Sequence, residues 1–359
     1  MKIGIILYPW GENTPTGLAK AIFELTRWMI KSEDRNEYTI FLKGKKKNPP
    51  EFIGDNWHIE YLPDKFFWLD RGLAQNPAMD VYIFNTPLLP LFFKPKRSIL
   101  IAYDFAYKYF KADSWRDYFK KKLVSLYHHF SLKKADMIIA VSEATKKDIV
   151  KFYKIDERKI EVVYLGFEKR ENFPEEYMML PEKFFLFVGD IKERKNVLNI
   201  IKAFRIFKRQ HEDYCLLLIG KGEGKYFENV KQYIEAADLQ EDVLIKGYLN
   251  EANLIFLYRR AQALIFPSLI EGFGFPVLEA MSFGLPVITS DCSSLKEIAK
   301  NGSALLVDPH SPDDIAQAMG KIISDRELRN RLAINGFEQV KRFSWNKCAS
   351  EIAGIIQSL

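Results

Sequence analysis

Two carboxylates flank a glycine-rich turn in the second half of the chain. The segment PSLIEGFGFPVLEAMSFGLPVITSD, residues 267–291, places Glu271 and Glu279 eight positions apart around a Gly-Phe-Gly sequence. Gly272 and Gly274 carry no side chain, so a ligand can approach the backbone of the turn closely. Two acids beside a bare backbone suit a ligand that combines hydroxyl groups with phosphate. One acid would reach a ribose diol and the other a second polar group.

A helix is expected to follow this turn. Pro276 is well placed as its first residue, where a missing N–H costs nothing. The N–H groups of Val277 and Leu278 would then have no partners within the helix, and such a terminus favours an anion, typically phosphate. Glu279 lies one turn into this helix, and Glu271 lies in the loop before it. The alternative is an ordinary glycine-rich turn with two solvated glutamates.

A pair of cations forms the second candidate site. In FLFVGDIKERKNVLNIIKAF a strand is followed by Gly189 and then by Arg194 and Lys195, which are expected to open a helix that ends near Phe204. Fixed cations at that position would stabilise negative charge on a bound anionic group. The alternative is a solvated helix face, which is what an isolated Arg-Lys pair usually forms.

The sequence pattern predicts an α/β protein with two doubly wound Rossmann-like domains that face each other across a cleft. Short apolar runs alternate with amphipathic segments, and their continuous hydrophobicity is typical of parallel strands covered on both faces. Ligands of such sheets bind at the carboxyl ends of the strands, so the cleft is the expected site. One helix is predicted to begin at Pro312 with Ser311 as its N-cap. The predicted strands lie in IGIILYP, YTIFLK, DVYIFNT, SILIAYD, DMIIAVS and IEVVYLG, and then in FFLFVGD, YCLLLIGKG, DVLIKGY, ALIFPS, LPVITSD and ALLVDP.

Composition and charge narrow the class of protein. The chain has 359 residues, of which 48% are hydrophobic and 28% charged, as expected of a soluble globular protein with two domains. Its longest apolar runs are strand-sized, well below the roughly 20 residues of a membrane-spanning helix. Three widely spaced cysteines predict neither a disulfide framework nor a metal site, so a reducing compartment is expected. Residues 1–160 carry 28 Lys and Arg against 19 Asp and Glu, which indicates either an acidic partner or ordinary surface solvation.

The segment Glu271–Glu279 resembles the E-x-F-G-x-x-x-x-E signature of the family 4 retaining glycosyltransferases. The stretches EAMSFGLPVITSD and SALLVDP that follow are also in the style and order of this family. The resemblance implies the architecture called GT-B and the transfer of a sugar from a nucleotide diphosphate sugar without a metal ion. It spans nearly the whole chain, and its specific motifs are concentrated after Gly189.

The resemblance also implies roles for individual residues. Arg194 and Lys195 would bind the diphosphate, and Glu271 would bind the donor sugar nearest the anomeric carbon, which makes these three the expected catalytic groups. Glu279 would hold the ribose hydroxyls. The other expected donor-binding residues are Gly247 and Tyr248 beside the base, and Gly272, Phe273, Gly274, Phe275, Val277 and Leu278 around the turn.

In the first domain the resemblance is weaker. Gly17 matches the glycine loop of the family, although an ordinary turn explains it equally well. Tyr103 and Asp104 stand where relatives commonly have His-Asp, in which the histidine contacts the donor sugar. Asp104 would orient the site or serve as a buried cap. The expected divisions are an acceptor-binding domain over residues 1–167, a linker over 168–183, a nucleotide-sugar-binding domain over 184–342, and a helix over 343–359 that crosses back to the first domain.

The segment Ser114–Asp136 predicts a basic, aromatic helix. As in several relatives with lipid-linked acceptors, this helix would lie on an anionic membrane. The alternative is that it packs on the core with a charged outer face.

No metal site is expected. The sequence contains no D-x-D or H-E-x-x-H motif, and the neighbours His128 and His129 would point about 100° apart on a helix.

The resulting expectation is a retaining, metal-independent glycosyltransferase. It would use GDP-mannose or a UDP-sugar and act on a saccharide or lipid-linked acceptor in surface polysaccharide or glycolipid assembly. Its place would be the cytoplasm, peripheral on the inner face of the cytoplasmic membrane. One alternative is a non-catalytic subunit of the same fold, which Tyr103 favours. A dinucleotide oxidoreductase is disfavoured because no G-x-G-x-x-G follows the first strand, and nucleic-acid binding rests on charge alone.

Overall fold

The computed structural model describes residues 1–11, 17–31, 36–46, 48–112, 114–169 and 179–359. The chain divides into two compact units. Unit 1 comprises Met1–Gly166 together with Phe343–Leu359, and unit 2 comprises Phe167–Arg342. Most of the linker expected over 168–183 falls on 170–178, which lie outside the described residues.

The described residues form parallel strands that alternate with helices. The strands are β1 Lys2–Ile6, β2 Glu37–Lys43, β3 Trp57–Leu62, β4 Val81–Phe84, β5 Ser98–Ala102, β6 Met137–Ala140, β7 Ile160–Val162, β8 Phe184–Val188, β9 Cys215–Ile219, β10 Val243–Lys246, β11 Leu264–Phe266, β12 Val287–Ser290 and β13 Leu305–Val307. The helices are α1 Gly17–Lys31, α2 Trp68–Gln75, α3 Trp115–Lys134, α4 Glu143–Tyr153, α5 Val197–Lys208, α6 Gly224–Ala236, α7 Glu251–Arg260, α8 Phe275–Ser282, α9 Ser293–Ile298, α10 Pro312–Ser324, α11 Arg326–Val340 and α12 Trp345–Ser358.

Each unit contains one doubly wound sheet, which confirms the predicted fold class. In the described part of unit 1 the strand order is β3-β2-β1-β4-β5-β6-β7, and in unit 2 it is β10-β9-β8-β11-β12-β13. The order reverses between β1 and β4 in unit 1 and between β8 and β11 in unit 2. At such a reversal the loops that leave the two central strands diverge and open a crevice at the carboxyl edge of the sheet. The candidate site is therefore expected in the crevice of unit 2.

Local sequence signals explain how several of these elements begin. The Ser311 Oγ accepts the N–H of Asp314 at 3.1 Å and Pro312 is the first residue of α10, as predicted. Strand β3 was not predicted, because Trp57–Leu62 includes His58 and Glu60 and lies at the edge of its sheet, where it is only partly buried. None of the helices in the described ranges combines the length and hydropathy that a bilayer-spanning segment needs.

The last helix of the chain packs within unit 1. Helix α12 contacts α1 and buries Trp345 at its start. Gly166 lies directly against it, and a Cβ added there would stand 2.3 Å from the backbone nitrogen of Trp345. The contact between residue 166 and α12 therefore requires glycine, because neither backbone can yield without moving the helix.

Gly166→Ala is expected to destabilise unit 1 by about 2 kcal/mol, the usual cost of forcing an extra methyl group into a packed contact. All six tryptophans lie in unit 1, so urea unfolding followed by tryptophan fluorescence reports on this unit. Gly354→Ala is the matched control, because a Cβ at this position of α12 meets nothing within 4 Å. The control should leave stability unchanged or raise it. Equal effects of the two substitutions would contradict the proposed contact.

Candidate active site in unit 2

The loops that follow β8 and β11 bring the expected catalytic groups together. Arg194 and Lys195 belong to a 3₁₀ turn, Glu193–Lys195, which follows β8. Glu271 lies in the loop that follows β11, the neighbouring strand across the reversal. The two cations and the carboxylate therefore meet at the switch point of the sheet, although the chain separates Lys195 from Glu271 by 76 positions.

The three groups form a buried ion cluster. Lys195 Nζ donates to Glu271 Oε1 at 2.5 Å, and Arg194 Nη1 donates to Oε2 at 3.2 Å. The Lys195 and Glu271 side chains are only 9% and 8% exposed, whereas that of Arg194 is 30% exposed. Burial acts to raise the pKa of Glu271, but the adjacent Lys195 and Arg194 charges outweigh it and hold that pKa below its usual range. Glu271 is thus ionised at neutral pH.

The backbone around the cations differs from the prediction. Arg194 and Lys195 do not open a helix, because Asn196 has a left-handed backbone, φ 61°, and α5 begins only at Val197. The Asn196 side-chain amide is buried and donates to the carbonyls of Pro267 and Pro309 at 3.0 and 2.6 Å. These bonds tie the 3₁₀ turn Glu193–Lys195 to the loop after β11. They also hold Asn196 in its left-handed conformation, which separates the turn from α5.

The glycine-rich turn also departs from the expected geometry. Gly274 has φ 122°, a conformation that side chains disfavour, and a Cβ there would lie 2.8 Å from Leu295 Cδ2. Helix α8 starts at Phe275, one residue earlier than predicted. The Val277 N–H donates to the Gly274 carbonyl at 3.1 Å, so the expectation that this N–H is free for an anion was wrong.

Two serines that the sequence did not single out hold this turn. Ser294 is fully buried, and its hydroxyl lies within bonding distance of the carbonyls of Glu271 and Phe273, at 2.9 and 2.7 Å. The Ser293 hydroxyl accepts the Glu271 N–H at 3.3 Å. Both follow β12, the strand beside β11. The only available signal was the Ser-Ser pair at the end of a predicted strand.

Glu279 has a buried tyrosine as its partner. The Tyr258 hydroxyl donates to Glu279 Oε2 at 2.8 Å, and the Tyr258 ring packs on Phe283 with centroids 5.9 Å apart. Burial, and then the negative charge of Glu279, raise the pKa of Tyr258 well above its usual value. This hydroxyl therefore stays a hydrogen-bond donor and fixes one carboxylate oxygen of Glu279. Sequence reasoning missed Tyr258, since nothing in its own helix marks it.

The residues predicted beside the base and in the first domain lie outside this turn and the ion cluster. Gly247 and Tyr248 follow β10, which β9 separates from β8, and the Tyr248 side chain is 67% exposed. Gly17, Tyr103 and Asp104 belong to unit 1. Gly17 is the first residue of α1, where an added Cβ would meet nothing within 4 Å, and residues 12–16, which precede it, lie outside the described residues.

Tyr103 and Asp104 differ in burial. The Tyr103 hydroxyl is buried with no hydrogen-bond partner among the described residues, and this burial raises its pKa well above the usual value. Asp104 is exposed, and its Oδ1 accepts the Ala106 N–H at 3.1 Å. Asp104 is thus a cap, but not the buried cap that was one of its two interpretations. The sugar-side roles of both residues stay predictions.

The described ranges contain no group of three or more His, Cys, Asp or Glu side chains that could hold a metal ion. His128 lies against Tyr107, with 3.0 Å between Nδ1 and the tyrosine hydroxyl, whereas His129 is exposed. The metal independence of the reaction stays a prediction.

Two family models cover most of the chain. The model described as Glycosyltransferase Family 4 matches residues 16–170, and the model described as Glycosyl transferases group 1 matches residues 168–339. The chain belongs to glycosyltransferase family 4. The resemblance drawn from Glu271–Glu279 is thereby confirmed.

Curated relatives of this family 4 glycosyltransferase include mannosyltransferases. It is 26% identical over 283 residues to the O-antigen chain mannosyltransferase B of Escherichia coli, a match that covers 75% of this chain and 72% of the relative. It is 32% identical over 220 residues to the O-antigen chain mannosyltransferase RfbU of Salmonella typhimurium, with 60% of each chain covered. The match to the E. coli serotype-specific mannosyltransferase WbdA, at 27% identity, covers 67% of this chain but only 30% of WbdA.

Solved structures share the fold. Anabaena Alr3699/HepE in complex with UDP-glucose matches with a TM-score of 0.77 at 17% identity, over 100% of both chains. The sucrose-phosphate synthase of Thermosynechococcus elongatus matches with a TM-score of 0.76 at 18% identity, over 100% of this chain and 98% of that one. These likenesses confirm the predicted GT-B fold of the family 4 glycosyltransferase.

Glu271→Gln is expected to destabilise unit 2 by about 3 kcal/mol at pH 7, because it leaves the buried Lys195 ammonium without its counter-ion. The pKa of Glu271 is depressed in the folded state. Its contribution is therefore complete above the unfolded pKa of about 4.3 and is lost as pH falls through the folded pKa. The difference between variant and wild type should accordingly shrink in acid.

Urea unfolding followed by circular dichroism measures this difference, and tryptophan fluorescence reports unit 1 separately. Glu338→Gln is the matched control, since the Lys341–Glu338 pair of unit 2 has side chains that are 69% and 64% exposed. Removing an exposed pair has little effect on stability. A Glu271→Gln effect no larger than that of the control, or one independent of pH, would show that the buried cluster does not stabilise unit 2.

Proposed function

We propose that this glycosyltransferase transfers mannose from GDP-mannose to a saccharide or lipid-linked acceptor with retention of configuration and without a metal ion. The observation that carries the proposal is the buried cluster of Lys195, Arg194 and Glu271 at the switch point of unit 2. The names of the relatives support mannose as the sugar and surface polysaccharide assembly as the setting. A UDP-sugar is the alternative donor.

The cations have separate tasks in this proposal. The Lys195 side chain is almost fully buried and fixes Glu271, whereas that of Arg194 is 30% exposed and can reach a ligand. As the bond between the sugar and the diphosphate breaks, negative charge grows on the leaving group. Positive charge that is already in place stabilises this transition state more than the ground state. Arg194 and Lys195 thus supply the charge that a divalent cation supplies in metal-dependent transferases.

Glu271 acts through its charge rather than by moving a proton. Its depressed pKa keeps it ionised, so it cannot serve as a general acid at neutral pH. An ionised carboxylate beside the anomeric carbon stabilises the positive charge that develops on the sugar ring. The bond from that carbon to the diphosphate breaks while a bond to the acceptor oxygen forms on the same face. The acceptor hydroxyl gives its proton to the leaving phosphate.

Glu279 is proposed to bind the ribose. One of its oxygens already accepts the Tyr258 hydroxyl. A carboxylate offers about four lone-pair positions, so further acceptor positions suit the two hydroxyls of a ribose diol. Because Tyr258 orients the carboxylate before the ligand arrives, less side-chain entropy is lost on binding.

Helix α3 is proposed to rest on the inner face of the cytoplasmic membrane. Its two fully buried residues are Ser131 and Leu132 near its end, so the core-packed interpretation describes only that end. An exposed apolar stripe runs along the helix at a spacing of three and four residues, as required for a single face. The same helix carries exposed cations, an arrangement that suits anionic lipids. These cations are Arg116, Lys120, Lys122 and Lys133. The stripe, called the α3 stripe below, consists of Trp115 (72% exposed), Phe119 (52%), Leu123 (66%), Leu126 (59%) and Phe130 (37%).

A panel of GDP-, UDP- and ADP-sugars tests the proposed activity. In the presence of a chelator, GDP-mannose is expected to bind and to release GDP slowly, and faster once a mannose-containing acceptor is added. If UDP is released from a UDP-sugar and no GDP is released from GDP-mannose, the donor is a UDP-sugar and the GDP-mannose assignment is wrong. Binding without release, even with acceptors present, would favour the non-catalytic subunit, and release that requires added metal would refute metal independence.

Glu279→Ala tests the proposed contact between Glu279 and the ribose. We expect nucleotide affinity to fall about tenfold to a hundredfold, since a charged hydrogen bond contributes roughly 1.5–3 kcal/mol, while folding measured by circular dichroism is unchanged. Glu297→Ala, in α9 of the same unit, is the control carboxylate. Unchanged affinity in the Glu279 variant would remove the ribose assignment without affecting the diphosphate site.

The membrane contact is tested by changing Leu123→Ser together with Leu126→Ser. Each exposed leucine that enters the membrane interface adds to the binding free energy in proportion to the apolar area it buries. The double variant should therefore float less with phosphatidylglycerol-containing vesicles than wild type does. Ile334→Ser, at a 62% exposed position of unit 2, controls for a general loss of surface hydrophobicity. Equal flotation of wild type and double variant would refute the contact through α3.

A further inference from the structure

A second exposed apolar surface lies in unit 1 outside helix α3. We name Phe66, Phe67, Leu91 and Phe92 the aromatic patch; their exposed fractions are 81%, 38%, 40% and 76%. The rings of Phe66 and Phe67 are 4.7 Å apart, and those of Phe67 and Phe92 are 5.5 Å apart, so the turn before α2 and the loop after β4 form one surface. Aromatic side chains gathered on a surface usually mark a binding site.

The backbone of the patch is strained at Phe67, the residue before α2. Phe67 has φ 58° and ψ 37°, the left-handed conformation that large side chains rarely adopt. This conformation costs free energy, and the exposed rings return little of it through burial. Strain that is not offset by packing is characteristic of functional segments.

Buried polar groups hold the patch rigid. The Asp70 carboxylate, which is 9% exposed as a residue, accepts the main-chain N–H groups of Leu91, Phe92 and Phe93 at 3.2, 2.5 and 2.9 Å. An acid that bonds three successive N–H groups fixes the loop in one conformation. The hydrogen bonds to Asp70 therefore hold Phe92 in its solvent-exposed position.

The same loop is tied to the end of helix α3. The Tyr127 hydroxyl donates to the Leu89 carbonyl at 2.7 Å, and the Leu89 N–H donates to Ser131 Oγ at 3.0 Å. Lys134 Nζ donates to the Pro90 carbonyl at 2.9 Å and lies 5.3 Å from the centre of the Phe130 ring. The loop that carries Leu91 and Phe92 is therefore held against the end of α3, where the α3 stripe finishes.

We propose that the aromatic patch inserts into the same anionic membrane as the α3 stripe and so fixes the rotation of unit 1 about the axis of α3. The inference rests on the proposed function, because it deepens the membrane contact assigned there to α3. A single helix on a membrane can roll about its own axis, whereas a second apolar contact beside it permits one orientation. That orientation decides which groups of unit 1 face the membrane.

Charge complementarity identifies the occupant as an anionic lipid surface. Lys65, Arg71 and Lys94 are exposed next to the patch in sequence. The nearby acids are already engaged: Asp64 pairs with Lys43 at 3.2 Å, and Asp70 binds the loop. An apolar centre bordered by cations matches the acyl and headgroup layers of such a membrane.

Vesicle flotation tests the inference on the full chain. Phe66→Ser combined with Phe92→Ser should lower partition into phosphatidylglycerol–phosphatidylcholine vesicles about tenfold, from the apolar area withdrawn from the interface. Ile53→Ser, at a 92% exposed position of unit 1, is the matched control and should bind as wild type does. Brominated lipid already quenches wild type if Trp115 of the α3 stripe is inserted; Phe92→Trp should raise the quenched fraction above that of wild type, and Ile53→Trp should not raise it.

The outcomes separate this inference from the proposed function. If the α3 variant loses binding while the Phe66/Phe92 variant binds as wild type, the aromatic patch is not a membrane contact and the α3 contact stands. If wild type ignores vesicles yet releases nucleotide from its donor, both membrane contacts fall and the transferase stands. If wild type sediments as a dimer that Phe66→Ser and Phe92→Ser dissociate, the patch joins two copies and the inference is overturned.

Discussion

The buried ion pair between Lys195 and Glu271 is the constraint on which the candidate site of unit 2 depends. Two charges that are each less than a tenth exposed are tolerated only when their geometry is fixed and their other hydrogen bonds are satisfied. The order of the strands meets the first condition, because the reversal between β8 and β11 makes neighbours of segments far apart in sequence. Arg194 contributes to the second by donating to the other oxygen of Glu271. Asn196 and Ser294 help to fix the geometry, because they bond main-chain carbonyls of the loop that follows β11.

Most of the fold could be predicted from sequence, since each apolar run between amphipathic segments became a parallel strand. The exception, β3, has an alternating and partly polar sequence because it is the edge of its sheet, so the criterion of continuous hydrophobicity passes over it. In the site, the position of Arg194, Lys195 and Glu271 after predicted strands, together with the resemblance to family 4, identified these three residues. Ser294 and Tyr258 could not be identified in this way, because a single hydroxyl gains its role from a contact across elements and leaves no local pattern. The 3₁₀ turn was missed for the same reason, as the left-handed Asn196 is held by bonds to Pro267 and Pro309.

The structure of unit 1 bears on the excess of Lys and Arg over Asp and Glu in residues 1–160. Two explanations were open, an acidic partner or ordinary solvation, and charge alone does not separate them. The arrangement does bear on the choice: the cations of α3 accompany a row of exposed apolar side chains, and the only acid of that helix, Asp117, is paired with Lys121 at 2.8 Å. Solvation requires no such row, because a helix that serves only solubility gains nothing from exposed tryptophan and leucine.

The packing of α12 within unit 1 has a consequence for how the protein is made. Unit 1 is assembled from two stretches of chain, and the whole of unit 2 is synthesised between them. Unit 2 can fold only once its last helix, α11, has left the ribosome, and the surface of α1 that α12 covers stays open until α12 follows. During that interval the nascent chain presents apolar side chains to its surroundings. A chaperone that recognises such surfaces would therefore have a binding site on unit 1 throughout the synthesis of unit 2, and would lose it when α12 packs against α1.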